Sequence, residues 1–305
     1  MTNNIKHGLY ESWISAARLR TLPLAIAVTG LGNFLHLRHP DFRPAVFLLS
    51  MVTTVFLQVL SNFANDLGDS HHGADHSARQ GPARMVQLGE ISREAMRNAV
   101  LIMVFLSLFS GIFLLQISFK GNWWKAVPLF AAGLIAIAGA WFYTNGRKPY
   151  GYLALGDIAV FLFFGLLAVL GSAWLQVQVF QPAFLFPAAS AGFWSMAVMN
   201  LNNIRDIASD KAAGKTTIPI LIGQRKARYY QLILVAGGAV FLIIFGMLEK
   251  NPAVAGALPG FLLMVKTLPV LFTHEKPNKI DRLLKPQALG TFLAVAGMFL
   301  ITWLF

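Results

Sequence analysis

Long apolar blocks alternate with short polar intervals along most of the chain. Nine of these blocks approach the roughly 20 residues that a helix needs to cross the hydrocarbon core of a bilayer. They span about residues 19–37, 45–64, 98–117, 123–144, 153–176, 183–203, 230–248, 253–273 and 287–304. The pattern predicts an all-α, polytopic protein with about nine transmembrane helices in a lipid bilayer. No connection is long enough for a second domain, so we expect residues 1–305 to form one transmembrane domain.

Composition supports a membrane protein and bears on whether the protein binds nucleic acid. Only 12% of the residues are charged and 56% are hydrophobic, which is typical of a polytopic helical protein. The net charge of +12 is compatible with nucleic-acid binding in principle. However, the basic residues are divided among short loops instead of being gathered on one soluble face. We therefore expect no nucleic-acid partner.

The distribution of basic residues predicts the orientation in the membrane. Nineteen of the 25 Lys and Arg residues lie in the N-terminal segment and in the connections after the second, fourth, sixth and eighth spans. Five lie in the opposite connections, at Arg38, Arg43, Lys120, Lys125 and Lys250. By the positive-inside rule, the N-terminus and the even-numbered connections are expected to be cytoplasmic and the C-terminus to lie on the other side.

Carboxylates and carboxamides gather at the ends of the second and sixth spans. Spacings of three, four and seven residues place such side chains on one face of a helix, so that each set forms a ridge of oxygen atoms. The first ridge contains Asn62, Asn65, Asp66 and Asp69, with Asp75 beyond it, and the second ridge contains Asn203, Asp206 and Asp210. These ligands suit Mg²⁺, which is commonly held by one or two carboxylates together with substrate phosphates. The sequence therefore predicts a metal-dependent diphosphate site between the two ridges.

The positions of the two ridges indicate an internal repeat. Four spans separate the ridges, and each ridge is followed by a polar loop with Gly and basic residues, at 73–84 and at 214–228. Two similar four-helix units plus a ninth helix would bring the ridges face to face across a central cavity.

A departing diphosphate also needs fixed cations, because negative charge accumulates on its oxygen atoms. The candidates follow the two ridges and the fourth span, and they are Arg79, Arg84, Arg147, Lys148, Arg205, Lys211 and Lys215. The strongest of them are Lys148, Arg205 and Arg84. Lys148 lies in an aromatic strip that consists of Tyr143, Tyr150 and Tyr152. This strip could mark the cavity mouth, or it could equally be an interfacial tyrosine belt with a snorkelling lysine.

Two ionisable residues inside predicted spans allow two interpretations each. Asp157, near the start of the fifth span, is either paired with a loop cation or placed near the acceptor, and we favour a role in the site. Lys266, about two turns before the end of the eighth span, either snorkels to the interface or faces the cavity.

The two ridges resemble the paired aspartate motifs of the UbiA superfamily of intramembrane prenyltransferases. The resemblance extends over most of the chain, through residues 20–25, 60–66, 81–84, 147–152, 155–157, 201–206 and 214–215. Within the superfamily, the sequence is most similar to the branch that prenylates 1,4-dihydroxy-2-naphthoate in menaquinone biosynthesis. The resemblance implies a UbiA-like helical bundle in the inner membrane, with Mg²⁺ (or Mn²⁺ as a substitute) bridging the aspartates and a polyprenyl diphosphate. It also implies that the acceptor loses its carboxylate as CO₂ and that demethylmenaquinone forms.

This resemblance gives a role to further residues and leaves two alternatives. A cation such as Lys266 or Arg20 could orient the acceptor carboxylate before attack. A prenyltransferase for another acceptor, such as 4-hydroxybenzoate, would need the same metal site. A secondary transporter is a more distant alternative, since its site should lie near the midplane of the membrane.

Overall fold

The computed structural model describes residues 8–71 and 84–304. Its α-helices, in chain order, are α1 (Leu9–Ala17), α2 (Leu22–Phe34), α3 (Pro44–His71), α4 (Arg93–Phe119), α5 (Trp123–Phe142), α6 (Gly156–Val160), α7 (Ala168–Val177), α8 (Leu185–Arg205), α9 (Ile207–Ala212), α10 (Ile218–Ile222), α11 (Gln224–Leu248), α12 (Leu258–Val265), α13 (Thr267–Thr273) and α14 (Pro277–Leu304). Apart from one isolated bridge between Leu153 and Thr216, this part of the chain contains no β-structure. The prediction of an all-α fold is confirmed.

Nine helical segments in the described ranges are long and apolar enough to cross a bilayer, as the sequence predicted. They are Leu9–Phe34, Pro44–Ser70, Arg93–Phe119, Trp123–Phe142, Gly156–Val177, Pro182–Arg205, Gln224–Leu248, Pro252–Thr273 and Pro277–Leu304. The last segment begins well before the predicted residue 287 because α14 continues through Pro286. Transmembrane helices tolerate an internal proline where neighbouring groups satisfy the freed backbone.

Two of the crossings are not regular α-helices. The fifth contains a π-helical segment, Phe161–Leu167, between α6 and α7, and the eighth begins with the 3₁₀ segment Pro252–Ala257. Short π-helical insertions are often found at functional sites, because they turn side chains away from the regular helical faces. Here the insertion includes Phe163 and Phe164, which line the central cavity.

Helix packing follows the repeat that the sequence indicated. The second and third crossings, α3 and α4, pack along each other, and so do their counterparts four crossings later, α8 and α11. The ninth crossing, α14, packs against α2, α8 and α12. It approaches the eighth crossing closely at two glycine pairs, since a Cβ on Gly256 would overlap the carbonyl oxygen of Gly297, and one on Gly260 would overlap that of Gly290. Small residues of this kind allow close backbone contact between membrane helices.

Arg43 joins helix ends on the side of the bundle opposite the ridges. Its guanidinium donates to the carbonyl oxygens of Ile117 (3.1 Å) and Ser118 (2.9 Å) near the end of α4. It also donates to those of Leu175 (2.9 Å) and Gln176 (2.7 Å) near the end of α7. The last carbonyl groups of a helix lack intrahelical partners, and a cation there also offsets the negative end of the helix dipole. This basic residue outside the predicted cytoplasmic set therefore has a structural role of its own.

Candidate active site

A central cavity of about 820 Å³ lies between the helices. Polar residues line it at one end of the bundle, where both ridges lie, and this end is called the acidic end below. Its deeper wall is mostly apolar and extends to Leu175 in the last turn of α7, close to the opposite end. Ile112 of α4 and Leu134 of α5 line the cavity and are also among the exposed apolar residues. The cavity therefore combines a polar mouth with a long apolar interior.

The first ridge divides between two faces of α3. Asn62, Asn65 and Asp69, spaced three and four residues apart, line the cavity. Asp66 is buried on another face, where its carboxylate accepts hydrogen bonds from the backbone N–H groups of Met85 (3.1 Å) and Val86 (3.3 Å). Asp66 thus anchors the segment that carries Arg84.

Asp69 is the most heavily coordinated carboxylate of the first ridge. It is 1% exposed and forms an ion pair with Arg84, whose guanidinium also donates to the carbonyl oxygen of Asn65. Its Oδ1 atom accepts a hydrogen bond from the hydroxyl of Tyr152 (2.7 Å) and lies 3.2 Å from the ammonium group of Lys215. A buried carboxylate is stable only with such compensation, because transfer from water is costly.

The second ridge is organised around Arg205. Its guanidinium binds both carboxylate oxygens of Asp206, at 2.8 and 2.5 Å. It also donates to Asp281 of α14 at 2.5 Å and to the amide oxygen of Asn202 at 2.7 Å. A planar guanidinium with five N–H donors suits this arrangement. Both Arg205 and Asp206 are buried, and both line the cavity with Asn203.

Lys215 brings the two ridges together, as the repeat predicted. Its ammonium group lies between Asp69 of the first ridge and Asp210 of the second, at 3.2 and 3.6 Å from their carboxylates. It also lies 4.8 Å from the ring centre of Tyr152. Gly214 precedes it with a positive φ of 70°, a conformation that glycine adopts without strain.

Backbone hydrogen bonds fix the two loops that carry these groups. The N–H of Ala154 donates to the carbonyl oxygen of Thr216 (2.8 Å), and the N–H of Thr216 donates to that of Tyr152 (3.0 Å). The loop after the fourth crossing is thereby joined to the loop after the sixth, and Tyr152 is held beside Lys215.

The tyrosine strip belongs to the cavity. Tyr143, Tyr150 and Tyr152 all line it, and the rings of Tyr143 and Tyr150 meet edge to face at 5.3 Å. The hydroxyl of Tyr150 donates to the carbonyl oxygen of Gly139 (2.7 Å). Burial raises the pKa of Tyr150 to about 12, and burial together with nearby carboxylates raises the pKa of Tyr143. Both phenols therefore remain neutral hydrogen-bond donors at physiological pH.

Other predicted site residues fall into three groups. Those that line the cavity, beyond the residues already placed there, are Arg20, Arg84, Asp210 and Lys215. Those that do not line it are Asp66, Arg147, Lys148, Asp157, Lys211 and Lys266. Arg147, Lys148, Lys211 and Lys266 are exposed at the surface, so their predicted roles have no support from this geometry. Asp75 and Arg79 lie outside the described residues.

Asp157 has a partner that the sequence did not predict. It is buried and accepts a hydrogen bond from the hydroxyl of Tyr230 in α11 (3.1 Å). The contact joins the fifth and seventh crossings, so this acid is paired with a phenol instead of a loop cation.

Sequence reasoning missed the contribution of α14. Asp281, Arg282 and Lys285 line the cavity, and Asp281 lies within reach of Arg205 and, at 3.8 Å, of Arg20. The predicted ninth span began after Pro286, so these residues were counted as loop charges. The spacing of four between Asp281 and Lys285 was the available signal for one helical face.

The donor set around the cavity suits a hard cation bound together with a substrate. Asp69, Asp206 and Asp210 offer carboxylate oxygens, and Asn65 and Asn203 offer amide oxygens. Within the described ranges, no group of three or more His, Asp or Glu side chains forms a complete metal cage. Mg²⁺ usually keeps part of its coordination for water and substrate phosphates.

Comparison with known proteins identifies related chains. The model of the UbiA prenyltransferase family matches residues 24–294. The 1,4-dihydroxy-2-naphthoate octaprenyltransferase of Escherichia coli is 37% identical over 303 residues, which is 96% of each chain. The protein of the same description from Haemophilus influenzae is 40% identical over 293 residues, 93% of this chain and 92% of its own.

Solved structures support the same fold. A UbiA homolog from Archaeoglobus fulgidus bound to GPP and Mg²⁺ has a TM-score of 0.69 at 18% identity and covers 96% of this chain and 99% of its own. The apo structure of a UbiA homolog from Aeropyrum pernix K1 has a TM-score of 0.70 at 16% identity, with 93% and 98% covered. At these identities the likeness concerns the fold alone.

Proposed function

The chain belongs to the UbiA prenyltransferase family, and we propose that it transfers a polyprenyl group to 1,4-dihydroxy-2-naphthoate. The observation that carries this function is the joined pair of ridges around the mouth of a long apolar cavity. The 37% and 40% identity to the two naphthoate enzymes, over nearly the whole chain, supports the acceptor. A secondary transporter is not favoured, because the charged site lies at one end of the bundle.

Residues of both ridges would hold the metal and the diphosphate. Asp69, Asp206 and Asp210 would bind Mg²⁺, with Mn²⁺ as a substitute. When bound, the ion would neutralise charge on the diphosphate oxygens and so favour departure of the diphosphate. Arg84 and Lys215 already meet at Asp69, and they would bind the diphosphate oxygens directly.

The cavity itself would protect the allylic cation that forms when the C–O bond ionises. Its aromatic lining includes Phe163, Phe164 and the neutral rings of Tyr143 and Tyr150. Aromatic faces attract cations through their quadrupoles, and an apolar wall excludes the water that would otherwise capture the cation. The polyprenyl tail would occupy the deeper apolar part.

The acceptor chemistry follows from a ring activated by two hydroxyl groups. After the C–O bond ionises and diphosphate departs, the ring carbon that bears the carboxylate attacks the allylic cation at the first carbon of the prenyl chain. The C–C bond to the carboxylate then breaks, its electron pair restores the aromatic ring, and CO₂ leaves. The product is the reduced form of demethylmenaquinone, and no base is needed at that carbon.

The acidic end of the bundle would face the cytoplasm, in the inner membrane. The asymmetry of nineteen basic residues against five supports this orientation. Arg43, on the opposite side, donates to carbonyl oxygens at helix ends and so has a structural role there.

Purified protein assayed with one polyprenyl diphosphate, Mg²⁺ and a panel of aromatic acceptors tests the function. We expect 1,4-dihydroxy-2-naphthoate to be used well and 4-hydroxybenzoate poorly. With carboxyl-labelled naphthoate, released CO₂ should equal released diphosphate. A prenylated product that keeps the label, or faster turnover of 4-hydroxybenzoate, would reject the acceptor while leaving the prenyltransferase class intact.

A further inference from the structure

The cations that line the acidic end of the cavity are not equivalent. Arg84, Arg205 and Lys215 each form ion pairs with carboxylates of the two ridges. Arg282 and Lys285 of α14 also line the cavity, yet neither forms an ion pair with any residue in the described ranges. These two cations are therefore available to an anion that enters the cavity.

The neighbouring acid on α14 does not cancel their charge. Asp281 accepts from Arg205 at 2.5 Å and lies 3.8 Å from Arg20, so two arginines from other elements already compensate it. Arg282 and Lys285 are three residues apart and therefore share a face of the helix. The start of α14 thus presents excess positive charge to the cavity.

The surface beside and beyond these two cations is apolar. Leu284 and Ala288 of α14 line the cavity together with Leu24 and Ala25 of α2, and these two helices pack against each other. A ligand with an anionic group at one edge and a flat apolar body matches this combination of cations and apolar wall. A prenyl diphosphate has a flexible chain instead of a flat body, and the paired ridges already supply partners for its diphosphate.

We propose that Arg282 and Lys285 form the subsite that binds the carboxylate of the aromatic acceptor. This inference rests on the proposed function and names the residues that recognise its substrate. Arginine holds a carboxylate through paired N–H donors, and lysine adds a point charge. After attack the carboxylate leaves as neutral CO₂, which these cations do not retain.

Acceptor selectivity tests the subsite. Arg282→Gln and Lys285→Gln are each assayed with 1,4-dihydroxy-2-naphthoate and with 1,4-naphthalenediol, the same ring without the carboxylate. We expect kcat/KM for the naphthoate to fall about 10- to 100-fold, as for loss of a charged hydrogen bond. The diol and the KM for prenyl diphosphate should change little, and Arg282→Lys should recover most of the loss.

A matched control is available beside the same helix. Lys276 is exposed just before the first turn of α14 and does not line the cavity, so Lys276→Gln should leave both acceptors unaffected. Equal losses with both acceptors, or a raised KM for prenyl diphosphate at unchanged selectivity, would overturn the subsite. A wild-type protein without turnover of the naphthoate would instead overturn the proposed function and the subsite with it.

Discussion

The ammonium group of Lys215 lies 3.2 Å from a carboxylate oxygen of Asp69, although the two residues are 146 positions apart in the sequence. Asp69 belongs to the first ridge and Lys215 follows the second, so this contact joins the two ridges at the acidic end of the bundle. The hydrogen bonds between Ala154, Thr216 and Tyr152 hold the two loops at that point. The polar site is therefore built by helix ends and loops of two separate helical units.

Replacement of Lys215 by methionine should lower turnover strongly. The variant loses the positive charge between Asp69 and Asp210 but keeps a side chain of similar length, so the repulsion between the two carboxylates would lose its bridging cation while Arg84 still pairs with Asp69. We expect kcat to fall about 100-fold or more, as for loss of one preorganised charge-stabilising donor. Steady-state assays should show near wild-type kinetics for Lys226→Met, an exposed lysine in α11 that does not line the cavity.

Asp66 and Asp69 should respond differently to replacement by asparagine. Asp69→Asn removes a charge that faces the cavity, so half-saturation should require more Mg²⁺. Asp66→Asn weakens the bonds to Met85 and Val86 and should cost about 1–3 kcal/mol of stability, at an unchanged Mg²⁺ requirement. Mg²⁺ titrations of activity, with thermal unfolding in detergent, separate these effects. An increased Mg²⁺ requirement in Asp66→Asn would make it a metal ligand, as its sequence position suggested.

The sequence predicted the features that repeat along the chain, but it did not predict the side-chain orientations that tertiary packing determines. The nine crossings of the described ranges and the two facing ridges follow from apolar block length and from the spacing of the acids. The orientation of Asp66 does not, because it depends on the backbone of Met85 and Val86, much further along the chain. Lys148 has favourable neighbours in sequence, but its side chain is exposed. The sequence did not reveal Arg282 and Lys285 as cavity residues, because Pro286 suggested that the helix begins after them. Tertiary contacts of α14 stabilise a helix that continues through Pro286.

Alkaline conditions should destabilise the protein partly through Tyr150. A tyrosine in an unfolded chain has a pKa of about 10, and burial raises the pKa of Tyr150 to about 12 in the folded protein. The unfolded chain therefore releases the proton first, and the stability that this group contributes is present below about pH 10 and is lost as the pH rises through the folded pKa. Thermal unfolding between about pH 10 and about pH 12 should show a smaller decline in Tyr150→Phe than in wild type. Equal declines would contradict the raised pKa.

Arg43→Ala should reduce stability without affecting substrate recognition. The substitution removes four hydrogen bonds to carbonyl oxygens at the ends of α4 and α7. A cost of about 3 kcal/mol or more is expected, since bonds to charged groups contribute roughly 1.5–3 kcal/mol each and are not additive. Unfolding in detergent measures the loss, and KM for both substrates should remain unchanged. Lys125→Ala is the control, because Lys125 is exposed and donates only its backbone N–H, to Asn122.

The orientation of the bundle can be tested with single cysteines, because the native chain contains none. Pro40 and Ala212 are both exposed, and they lie at opposite ends of the bundle. If the acidic end faces the cytoplasm, a membrane-impermeant maleimide should label Pro40→Cys in intact cells and should label Ala212→Cys only after the membrane is permeabilised. Retained prenyltransferase activity of both variants controls for correct insertion. Labelling of Ala212→Cys alone in intact cells would reverse the orientation, and the diphosphate would then have to reach the cavity from the other side of the membrane.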